Sequence, residues 1–75
     1  MADLKFEIIE TIGTLSTKQN GWKKQLTLIS WTNRDPKYDI RFWSEDQTEM
    51  KKGITFDLSE LQTLKGLLNQ MPELK

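Results

Sequence analysis

Apolar and polar residues alternate along most of this chain, and the period changes once, near residue 57. Residues 6–15 are rich in β-branched side chains and read as a first strand, with Gly13 a bulge or bend within it. Lys18-Gln19-Asn20-Gly21 is the clearest turn, because Asn-Gly tolerates the positive φ of tight hairpins. A second strand follows over residues 22–32, then a turn over 33–37 that holds Pro36 and short polar residues. The alternation predicts a third strand over 38–43 and a fourth over 52–56. Beyond them Leu58, Leu61, Leu64, Leu68 and Met71 recur at helical steps. Asp57 reads as the N-cap, Glu60 completes a capping box, and Pro72 ends the helix.

Four strands and then one helix predict a single α+β domain over residues 1–75, a four-stranded antiparallel sheet with the helix packed on one face. A one-residue slip would turn every side chain over, so the register follows from keeping apolar residues together. Pairing Thr32 with Tyr38, Ser30 with Ile40 and Leu28 with Phe42 gathers Leu26, Leu28, Tyr38, Ile40 and Phe42 under the helix, joined by Ile54 and Phe56. The other face then carries Trp31 opposite Asp39, Ile29 opposite Arg41 and Thr27 opposite Trp43. Lys51, Gly53 and Thr55 lie beside them. This second face is expected to stay open for a ligand.

Composition changes the picture in three ways. A chain of 75 residues has little core of its own and usually gains stability from a disulfide, a metal or a partner subunit. It has no cysteine and no histidine, so disulfides and ordinary zinc sites are ruled out and a homodimer is expected. The same absences leave no catalytic constellation, and no phosphate-cradling glycine loop occurs, so neither enzyme activity nor a cofactor or metal is expected. The first five residues lack the basic start and apolar run of a signal peptide. No apolar stretch approaches the roughly 20 residues that span a bilayer. A cytoplasmic protein without membrane contact is expected.

The formal net charge is zero, which weighs against a strongly basic nucleic-acid footprint. Its distribution is uneven: residues 18–52 hold eight cations against five acids. Within that segment Arg41 lies on the third strand between two aromatic positions, and Lys51-Lys52 precede Gly53. Cations, aromatic faces and a glycine on one strand-loop-strand platform suit a single strand of nucleic acid. Each residue also has a plainer reading. Trp31 and Trp43 can be core or dimer-interface residues, although their alternation with Asp39 and Arg41 argues against a buried face. Arg41 can form a surface ion pair with Asp39 or Glu45, and Lys51-Lys52 can guard a sheet edge. Trp22 follows a turn and reads as packing.

Asp39-Ile40-Arg41, aromatic residues ending at Trp43, a loop ending in Met50-Lys51, then Lys52-Gly53-Ile54-Thr55-Phe56-Asp57 and a helix with Leu61, Leu64 and Lys65 follow in a telling order. This order resembles the C-terminal domain of the transcriptional coactivator positive cofactor four, and above all its small bacterial members of the YdbC type. The resemblance covers residues 38–68 well and the first two strands loosely. It implies a homodimer joined largely through the helices, and binding of single-stranded DNA along the sheet with little sequence preference. By the same resemblance the strand arginine is Arg41, the stacking tryptophan Trp43 and the basic pair Lys51 and Lys52. The residues around the preceding turn are Trp31, Arg34 and Lys37, and a second-strand cation is Lys24. The loop over 44–51 is shorter and less basic than in the eukaryotic coactivator, and no serine-rich tail is present. The binding module is therefore expected here without the coactivator's regulation.

The expected function is sequence-nonspecific binding of single-stranded DNA in transcription, replication or repair. Two alternatives stay open: an RNA-binding protein, and a protein-interaction module that uses the tryptophan face.

Overall fold

A computed structural model describes residues 5–74. The opening residues read above for a targeting segment lie partly outside that range, as does Lys75. Four strands form one antiparallel sheet in the order β1-β2-β3-β4, with β1 at Phe6–Thr17, β2 at Lys23–Trp31, β3 at Lys37–Trp43 and β4 at Ile54–Phe56. The helix α1, Leu58–Asn69, lies against β3 and β4, and a short 3-10 turn, Pro72–Leu74, follows. The α+β architecture is the one expected.

Local signals set the helix. The Asp57 side chain accepts from the Glu60 N–H, and the Glu60 side chain accepts from the Asp57 N–H, which closes the capping box. The helix stops at Asn69, three residues short of Pro72, because the residue before a proline is disfavoured in helical backbone. Gln70 and Met71 donate back to Leu67 and Leu68, tightening the last turn.

The register of β2 and β3 differs from the expected one by four residues. Leu28 faces Tyr38, Leu26 faces Ile40 and Lys24 faces Phe42. Ser30 and Trp31 belong instead to the β1 ladder, opposite Glu7 and Phe6. An even slip preserves which residues share a face. What it does not preserve is which face closes.

The face expected to be open is the buried one. Gln25, Thr27, Ile29, Asp39 and Trp43 are buried, whereas Leu26, Leu28, Tyr38, Ile40 and Phe42 are only half-buried. The cause lies in β1. Its ladder with β2 is interrupted at Ile9, Ile12 and Leu15, one of these breaks adjoining the expected bulge at Gly13. Such bulges bend and coil a strand. The coil carries Phe6 across the inner face, where its ring lies 6.0 Å from Trp31 and 5.2 Å from Trp43. From the other side, the Gln47 side chain donates to Gln25 at 2.8 Å and Thr11 at 3.1 Å, fastening the β3–β4 loop over the same face.

Candidate nucleic-acid interface

The turn between β2 and β3 assembles the site. Thr32 and Asn33 take left-handed backbone, with φ of 49° and 61°, which folds the chain back sharply. The Ser30 hydroxyl donates to the Arg34 carbonyl at 2.6 Å, and the Arg34 N–H donates to the Trp31 carbonyl at 2.9 Å. Arg34 and Lys37 are thereby held next to the Trp31 indole. Together with Asp35, Arg41 and Thr55 they line an open cleft of about 380 Å³. Four of the eight sequence-predicted site residues meet there: Trp31, Arg34, Lys37 and Arg41.

Arg41 is fixed rather than free. Its Nε donates to Asp39 Oδ1 at 2.5 Å and its Nη2 to Asp39 Oδ2 at 2.7 Å, while the Thr55 hydroxyl also donates to Asp39. Nη1 reaches the Lys51 carbonyl at 3.4 Å. Gly53 makes this seat possible, since a Cβ there would run into the Arg41 Cβ and the Ile40 carbonyl oxygen. The guanidinium carbon then lies 4.7 Å from the centre of the Trp31 ring. Because Asp39 matches its charge, Arg41 is not the unpaired phosphate contact expected from sequence. It is a positioned plate backed by Trp31, and planar guanidinium groups stack well.

Trp43 requires a plainer correction. It is fully buried, covered by Phe6, so it offers no exposed ring for a base to stack on. Alternation with charged neighbours had argued against burial, but the Asp39–Arg41 pair neutralises those charges within the inner face.

The remaining predicted cations, Lys24, Lys51 and Lys52, stand outside the cleft. Lys24 Nζ lies 5.0 Å from the Phe42 ring centre and Lys18 Nζ 4.3 Å from the same ring. Lys51 Nζ lies 5.3 Å from the Trp22 ring centre. Lys52 is exposed. Lys18, Trp22 and Phe42 were not singled out from sequence. The signal for them was the cross-strand pair Lys24–Phe42, legible only in the correct register. Asp39–Arg41 is the one salt bridge among the described residues, so these lysines and those of the cleft have no carboxylate partner there. Acidic residues lie on the β3–β4 loop, where Asp46 is held below its ordinary pKa chiefly by the hydroxyl and N–H of Thr48.

Comparison with known proteins agrees with this arrangement. The family model for transcriptional coactivator p15 (PC4) matches residues 18–67, which span the cleft, the lysine–aromatic pairs and most of the helix. An uncharacterized protein of Treponema pallidum (strain Nichols) is 48% identical over 69 residues, covering 92% of this chain and 81% of the relative.

Proposed function

We propose that this chain, which belongs to the transcriptional coactivator p15 (PC4) family, binds single-stranded DNA as a homodimer with little preference for sequence. The observation that carries the reading is the cleft at the β2–β3 turn. It sets Trp31 and the Arg41 plate between Arg34 and Lys37. Flat surfaces flanked by unpaired cations suit unstacked bases and their phosphates, and every base has a face to stack. A duplex hides those faces, and the helix here has no basic residue in its last turn and only Lys65 along its length. The chain is read as a binding module of the cytoplasm rather than an enzyme, in support of transcription, replication or repair.

The second protomer is inferred from apolar surface. Ile54, Leu58, Leu67, Leu68, Met71 and Leu74 are all exposed, most of them along the helix and the turn after it. Such a row is the kind of surface that a two-fold partner covers.

Titration of fluorescent single-stranded DNA, RNA and duplex DNA at two salt concentrations tests the reading. Single-stranded DNA should bind best. Trp31→Ala should cost ~1–3 kcal/mol with little change in salt dependence. Lys37→Ala should reduce the logarithmic salt slope by ~0.7. Equal affinity for a single strand and its duplex would refute stacking as the basis of binding, and tighter binding of RNA would reassign the ligand.

A further inference from the structure

We propose that a second contact surface, the outer-face cluster of Lys18, Trp22, Lys24, Phe42 and Lys51, binds the phosphodiester backbone of the same strand that enters the Trp31 cleft. The proposal rests on the single-strand reading above and adds a path to it. The cluster is continuous. Lys24 pairs with Phe42 across β2 and β3, the Lys18 N–H donates to the Trp22 carbonyl at 2.7 Å, and the Lys51 N–H donates to the Phe42 carbonyl at 3.0 Å. Two ammonium groups share the ring of Phe42 at 4.3 and 5.0 Å, and a third lies over Trp22 at 5.3 Å.

Three like charges this close repel one another, and among the described residues no carboxylate pairs with them. The aromatic faces offset part of that repulsion. An anionic chain would offset the rest. The acidic residues nearest by are on the β3–β4 loop, where Glu45 and Glu49 share a separate cleft with the other side of Trp22. A phosphodiester is repelled from that side and steered towards the lysines.

Lys51 joins the two surfaces. Its carbonyl accepts from Arg41, which lines the inner cleft, while its ammonium lies over Trp22 in the outer cluster. Lys52 is exposed beside it, at the start of β4. A strand leaving the cleft therefore meets cations continuously across this edge before reaching Phe42. The two surfaces are successive stations on one track rather than rival sites.

The test is a salt-dependent titration of oligothymidines of about 4 and about 16 nucleotides, lengths that bracket the usual site sizes. The double variant Lys18→Gln/Lys24→Gln should lower the salt slope for the long oligomer by about 1.4, two contacts at ~0.7 each. It should bind the short oligomer as the unaltered protein does. Each single substitution should give about half the change, which keeps the test open if the double variant folds poorly. An unchanged slope for the long oligomer would overturn the second station while leaving the cleft reading intact. Equal losses for both lengths would overturn the track as well, making the cluster the primary site. If the unaltered protein bound neither oligomer, the single-strand reading itself would fall, and the track with it.

Discussion

Asp39 and Arg41 lie two residues apart on the inner face of β3, and each makes the other tolerable there. Asp39 is fully buried, and an unpaired carboxylate in that position would be costly. The same pairing is why the sequence misled about this face: a hydropathy pattern counts two charges, whereas the folded chain holds a neutral pair. Trp43 was consequently expected at the surface and is found in the core. Its substitution should therefore report on folding before binding. Trp43→Ala should destabilise the protein by about 3–5 kcal/mol, as loss of a large buried aromatic does. Chemical denaturation checks this: a midpoint unchanged from that of the natural sequence would show that Trp43 is not the core residue described here.

The helix was legible almost to the residue because its boundary signals are local: Asp57, Glu60 and Pro72 lie within reach of the backbone they control. The hairpin turn at Asn20-Gly21 was legible for the same reason, with Gly21 at φ 92°. The β2–β3 register was not, because the competition for Ser30 and Trp31 comes from β1, more than twenty residues upstream. Bulges in β1 are equally invisible to a pattern of alternation. The cap also carries a pH dependence. Asp57 is held below its ordinary pKa, chiefly by the Glu60 N–H and then by the Ser59 hydroxyl. A carboxylate depressed in this way stabilises the fold when ionised. Its contribution is complete above the ordinary value of about 4 and is lost as pH falls through the lower folded value. Fraying of the first helical turn on acidification, followed by amide exchange, should therefore be flatter in Asp57→Asn. A profile identical to that of the natural protein would mean that other carboxylates set the acid limit.

At the scale of the whole molecule the imbalance is between a small buried core and a broad apolar surface. Ile29 and Trp43 are the buried apolar side chains among the described residues, and α1 buries none of its own. A helix of 12 residues is marginal in water unless its apolar face is packed. Here Leu61 and Leu64 are half-buried towards β3 and β4, while Leu67 and Leu68 remain exposed on the same helix. The leucine stripe read from sequence thus has two edges, and one protomer uses only the first. A second copy packing against the other edge would bury both without requiring any further element. Sedimentation at micromolar concentration should accordingly find a dimer. Leu67→Asp and Leu68→Asp should each shift the protein to monomer or unfold it, because burying a carboxylate in that seam is costly. Lys65→Glu, on the same helix but outside its apolar stripe, should leave both assembly and single-strand affinity nearly unchanged. A folded, stable monomer of the natural sequence would show that the exposed leucines serve some other partner.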